Sequence, residues 1–213
     1  YLSEAECVRL RNFVKNGGTL IATGQTSLYS PEGKTTGNFA LADVFGVNYT
    51  GSMSDSISYL HDKASGEKYV ATAVCPLVKA FTAESLAKIT NPMYPPFHPE
   101  LYASIHSNPW GEVTDLDAIT VHSFGTGKCI YLAQELLGYS HDDHTDYLKA
   151  LLKDRIDTAY KVETNAPPCM EVTVLKSTQS DKRILALVNQ QDELPSIPIH
   201  DVTLSITLPG GRI

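Results

Sequence analysis

The chain is poor in the features that mark several functional classes. Its 213 residues contain one tryptophan, three methionines and four cysteines. No apolar run approaches the ~20 residues needed to cross a bilayer, so no membrane-spanning helix is expected. Cys7, Cys75, Cys129 and Cys169 are widely scattered without a Cys-x-x-Cys pair. That spacing argues against a zinc site or a disulfide framework and leaves buried free thiols as the reading. Lysine and arginine number 17 against 24 acidic residues, a formal net charge of −7, and they form no cluster. A nucleic-acid-binding surface is therefore excluded. Internal repeats, low-complexity tracts and a signal peptide are also missing. The compartment stays open, with the cytoplasm slightly favoured.

What is present is an ordinary globular composition, 42% hydrophobic and 19% charged. The clearest local signal opens the chain. Ser3 and Glu6 make a capping box, and Cys7, Leu10, Phe13 and Val14 repeat at helical spacing. Gly17-Gly18 stops the helix, and Thr19 to Thr23 reads as a short strand buried on both faces. Helix, glycine turn and strand make one αβ step of an open parallel sheet, in which ligands gather at strand carboxyl ends. Such a step should have a strand before its helix. None is present, so the chain is read as a piece of a longer protein.

Further along, Asn38 can cap a short helix over Phe39 to Phe45, closed by Gly46. Ile57 to Leu60 and Tyr69 to Val74 are candidate strands around a Ser65-Gly66 turn. Asn91 to Pro99 carries four prolines and is expected to be an extended surface loop. Ala118 to Phe124 and Cys129 to Ala133 read as a hairpin closed by Gly125 to Lys128. A second helix is expected from about His144 to Tyr160. These elements assign residues 1–160 to an α/β domain. Residues 161–168, with Pro167-Pro168, form a linker, and 169–213 are part of a C-terminal β-domain.

Candidate chemistry is sparse. A nucleophile elbow needs Ser or Cys between small residues at a strand-to-helix turn, but that slot here holds Ala22 or Thr23. Gln25, in the same loop, is a ligand candidate. His141 and His144, with neighbouring carboxylates, can ligate a metal or move protons. The same stretch, Ser140 to Asp146, is also an ordinary capped helix start. Glu135 ends a strand and can serve as a base, but no second carboxylate pairs with it as glycoside hydrolysis requires. Trp110 can stack a sugar, anchor an interface, or pack locally under the proline-rich loop. Gly125-Thr126-Gly127-Lys128 joins two strands and is a turn, not a phosphate loop. No catalytic residue, cofactor or metal is assigned.

The segments LSEAECVRLRNFVKNGGTLIATGQTSLY and NFALADVFGV resemble the β-galactosidase trimerisation domain of glycoside hydrolase family 42 and related glycoside hydrolases. FGTGKCIYLAQELLGYSHDDHTDYLKALLKDRIDTA is similar to that family's closing strand and helix, and MEVTVL to DVTLSITLPGG to the small β-domain that follows. The resemblance covers residues 1–50, 118–160 and 170–211. It implies a class I glutamine amidotransferase-like, flavodoxin-like fold lacking the amidotransferase cysteine. An open, mostly parallel sheet flanked by helices would then be followed by a small β-sandwich-type domain. It further implies that catalytic carboxylates lie in a (β/α)8 barrel outside this chain, whose parent acts on a carbohydrate. The chain's own role would be subunit association, as a homo-oligomer and by resemblance a trimer. The alternative is a trehalose-utilisation-type sugar-binding protein or enzyme, in which Gln25, Glu135, His141 and His144 converge on one pocket.

Overall fold

A computed structural model describes residues 1–96, 98–101, 108–136, 142–153, 155–156, 161–180, 182–191, 195–208 and 211–212. The chain divides into two units, Tyr1–Ile156 and Asp157–Ile213.

The first unit begins with α1 (Glu4–Lys15). Ser3 Oγ accepts the Glu6 N–H at 3.3 Å, while the Ser3 N–H donates to the Glu6 carboxylate at 2.8 Å, completing the capping box. Gly17, at φ 105°, turns the chain into β1 (Thr19–Thr23). A short helix, α2 (Ala42–Phe45), ends at Gly46 in the left-handed region. The strands β2 (Val47–Met53), β3 (Ser58–Asp62), β4 (Lys68–Ala71), β5 (Pro76–Ala80) and β6 (Glu84–Pro92) follow. Next come β7 (Trp110–Phe124), β8 (Gly127–Leu132) and α3 (Asp142–Lys153). Among the described residues no helix is long and apolar enough to cross a membrane.

The expected flavodoxin-like, amidotransferase-like open parallel sheet flanked by helices is not what forms. The unit is built on a curled, mixed eight-stranded sheet, and the protein is mostly β. The main strand order is β1-β8-β7-β6-β3-β4, and β5 branches from β7 to carry β2. Among the described residues β1 with β8 is the one parallel pair of that sheet. Connection length explains this. Parallel neighbours need a crossover of about a dozen residues or more, whereas Gly125–Thr126 between β7 and β8 leaves room only for an antiparallel turn.

Strand β8 is the centre of the core. Cys129, Tyr131 and Ala133 pack with Cys7, Val14, Val44 and Phe45 from α1 and α2. The intervening Ile130 and Leu132 pack with Leu60, Ile89, Leu148 and Leu151. The strand buried on both faces is therefore β8. In contrast, β1 lies at the sheet's edge with Ile21 exposed, which corrects the reading of Thr19 to Thr23. Where β5 and β6 both meet β7, the buried Asp117 accepts Lys88 Nζ and the Ala80 N–H, each at 2.7 Å. Those two bonds tie the three strands together.

In the second unit, β10 (Met170–Lys176) and β11 (Arg183–Asn189) form an antiparallel pair. β9 (Lys161–Thr164), β12 (Leu204–Leu208) and β13 (Gly211–Arg212) form a three-stranded sheet. β9 occupies the first half of the stretch whose prolines suggest a linker. The helix expected over about His144 to Tyr160 is α3, which ends at Lys153 with Arg155 and Ile156 in a turn; Tyr160 lies outside the described residues.

Two outcomes test this packing. Gly46 has φ 69°, and a Cβ there would meet His122 Cγ at 2.7 Å and Ala83 Cβ at 2.9 Å. Gly66 has φ 76° with nothing near. Gly46→Ala should cost about 3 kcal/mol in urea denaturation, and Gly66→Ala about 1 kcal/mol, because the first adds steric overlap to backbone strain.

The second concerns Arg11, which reaches from α1 to Asp43 with Nε at 2.7 Å and Nη2 at 2.9 Å. Hydrogen bonding to Arg11 holds the Asp43 carboxyl below its ordinary value despite partial burial. A depressed folded-state pKa stabilises the fold above the unfolded value of about 4, and that contribution is lost as pH falls through the folded value. Asp43→Asn should therefore flatten the acid limb of stability measured from neutral pH downward and leave the alkaline limb unchanged.

Candidate functional site

The parallel pairing of β1 with β8 brings two strand carboxyl ends side by side. The Gly24 N–H donates to the Leu132 carbonyl at 2.8 Å, and the Tyr131 hydroxyl donates to the Gly24 carbonyl at 2.6 Å. Tyr131 is held by stacking on Phe45, centroids 4.9 Å apart at 11°, and by the edge of Phe39 at 5.4 Å. The turn beyond Gly24 is closed from within. Thr26 Oγ1 donates to the Thr23 carbonyl at 2.6 Å. Ser27 is buried at φ 64°, and its Oγ accepts the Leu41 N–H at 3.2 Å. The Thr26 and Ser27 hydroxyls are thus both engaged in holding the turn.

No thiol replaces them. Burial pushes Cys129 up to about 12 and raises Cys75 and Cys7 above the ordinary thiol value. None of these three presents a thiolate near neutral pH. Among the described residues no group of three or more His, Cys, Asp or Glu side chains is placed to hold a metal.

The candidate residues are spread over the unit. Gln25 and Glu135 are both exposed at the β1–β8 edge. Between Glu135 and the strand, Gln134 is fully buried and donates from Nε2 to Ser58 Oγ at 2.6 Å. Its Oε1 has no hydrogen-bond partner among the described residues. Glu135, not Gln134, stands out in the sequence, because a polar side chain after an apolar strand gives no sign of which way it points. His144 lies within α3, buried, with its ring 6.0 Å from Tyr69 at 60°. His141 lies outside the described residues. Trp110 is the first residue of β7, paired with Pro92, rather than part of a loop. It is 54% exposed, with Tyr59 edge-on at 6.3 Å and Lys68 Nζ 5.2 Å from its ring centroid.

Of two clefts lined by described residues of this unit, neither is lined by Gln25, Trp110, Glu135 or His144. The larger, about 880 Å³, runs between the β3–β4 turn and α3. Its floor is an Asp62 carboxylate that accepts the Ser65 N–H and hydroxyl at 2.8 Å and the Tyr147 hydroxyl at 3.0 Å. Burial pushes Asp62 up, but those hydrogen bonds outweigh it and hold the carboxyl below its ordinary value. Burial and the neighbouring Asp62 charge raise Tyr147. The smaller cleft, about 380 Å³, lies between α1 and the Ser27–Pro31 segment.

The geometry thus offers a rigid scaffold with no assembled nucleophile, acid–base pair or metal centre among the described residues. The family described as the beta-galactosidase trimerisation domain matches residues 1–161. No curated protein is similar enough in sequence to count as a relative. Alpha-L-fucosidase isoenzyme 2 from Paenibacillus thiaminolyticus superposes with a TM-score of 0.72 at 16% identity, over 98% of this chain and 33% of that one. The β-galactosidase from Rahnella sp. R3 gives 0.61 at 18% identity, over 100% and 30%. That from Bacillus circulans sp. alkalophilus gives 0.59 at 16%, over 89% and 30%. At such identities the likeness is one of fold, and this chain spans about a third of each of those proteins. On the match across its larger unit, the chain belongs to the β-galactosidase trimerisation domain family, a non-catalytic accessory region of glycoside hydrolases.

Proposed function

We propose that the chain is the subunit-association module of a glycoside hydrolase of the β-galactosidase type and that it assembles as a trimer. The family match over residues 1–161 carries this reading. The consumed hydroxyls at the β1–β8 ends support it, because a side chain fixed as a turn former is not available to attack a substrate. Association also has physical means. β1 has one hydrogen-bonding edge unpaired among the described residues, and Val8, Phe13 and Ile21 expose apolar surface on α1 and β1. On this reading the carbohydrate substrate is bound and cleaved by residues outside the chain. Residues 169–213 contribute to the small β-domain that follows the association module.

Light scattering of the purified chain should report three times the 23.2 kDa of one copy. A monomer at every concentration overturns the association reading, and a dimer overturns the trimer. The same preparation should show no turnover of aryl galactosides.

A further inference from the structure

The larger cleft is lined by none of Val8, Phe13 and Ile21, and its lining has a chemistry of its own. We propose that it is an accessory binding site for a neutral oligosaccharide. One wall is aromatic: the rings of Tyr69 and Tyr147 lie 4.6 Å apart, tilted by 35°. Tyr147 is fixed before any ligand arrives, because its hydroxyl is held by Asp62, itself held by Ser65, and the Tyr69 ring packs on it. A preset ring face avoids the ordering cost that weakens binding to mobile side chains.

The charges select the ligand. Carboxylates outnumber cations five to three along the walls, which disfavours phosphorylated or uronic ligands. Those carboxylates do not form a metal-holding cluster among the described residues, so a divalent cation does not account for them. Glu84 and Asp143 are exposed at the rim as acceptors for hydroxyl donors. Arg155 donates one N–H to the Leu151 carbonyl at 2.8 Å, and its guanidinium carries further donors. Two half-buried tyrosines, acceptors and donors along one cleft together match a chain of pyranose rings. An open cleft of about 880 Å³ suits an extended ligand more than a small compact one.

The test is titration of the full chain with a neutral β-linked galactose oligosaccharide, followed by amide chemical shifts. Saturable shifts are expected in the β3–β4 turn and α3, with affinity in the millimolar range. Tyr69→Ala should abolish them. Should that variant fail to fold, the surface pair Glu84→Gln with Asp143→Asn should weaken binding about fivefold by replacing charged acceptors with neutral ones. No saturable shift, unchanged affinity in the surface pair, equal binding of an acidic galacturonate oligomer, or shifts centred on Trp110 would each overturn the proposal. Light scattering on the same samples reads association separately, so either reading can fail while the other stands.

Discussion

The fold of the larger unit depends on one strand burying both of its faces. Along β8, Cys129 and Tyr131, with Ala133 just beyond its end, pack with α1 and α2, while Ile130 and Leu132 face the layer containing Leu148 and Leu151. Burying a large apolar side chain contributes about 1.5–3 kcal/mol, and β8 gathers several in succession. A strand with no polar face cannot stand at a sheet edge, so it needs a neighbour on each side. β7 supplies one through a tight hairpin, and β1 supplies the other in parallel register from Thr19↔Lys128 to Thr23↔Leu132. A parallel neighbour must be reached by a crossover, and here that crossover contains the whole antiparallel middle of the unit. The sheet curls because β5 and β6 both attach to β7, with Asp117 bonded to Lys88 and Ala80 where they meet.

This arrangement fixes what the strand ends can do. Tyr131 belongs to the core, yet its hydroxyl reaches the Gly24 carbonyl and anchors the loop at the place where α/β enzymes hold their reacting groups. Ser27 accepts a left-handed backbone and spends its hydroxyl on Leu41. The loop gains rigidity and gives up the chemistry its position would allow. That outcome suits a family whose contribution is association, in which a stable surface matters more than a reactive group.

Polar chemistry instead collects on the opposite face, where α3 meets the β3–β4 hairpin. Asp62 is central there because burial alone would disfavour its charge, and the three hydrogen bonds from Ser65 and Tyr147 compensate. The same bonds set the Tyr147 ring against Tyr69, so a buried ion and an aromatic wall are parts of one arrangement. His144 packs behind that wall and does not join Gln25 or Glu135.

The sequence by itself determined the features whose physics is local. The Ser3–Glu6 capping box, the Gly17 turn and the Ser65-Gly66 turn between β3 and β4 each rest on a few adjacent residues and form as read, and the β7–β8 hairpin forms with a tighter turn, Gly125–Thr126, than the four residues expected. It also carried, in the segments Leu2–Tyr29 and Asn38–Val47, the family to which the chain belongs. Only the tertiary structure decided the sheet. β2, β5 and β6 lie in a stretch with weak alternation, and their pairing depends on partners distant in sequence. Thr19–Thr23 and Cys129–Ala133 look equally buried as short apolar runs, yet one is an edge and the other the centre, because burial is set by how many neighbours a strand acquires. The same holds for the side chains. Glu135 and Gln134 are adjacent polar residues, one exposed and one buried, and only the direction of the pleat at the end of β8 tells them apart.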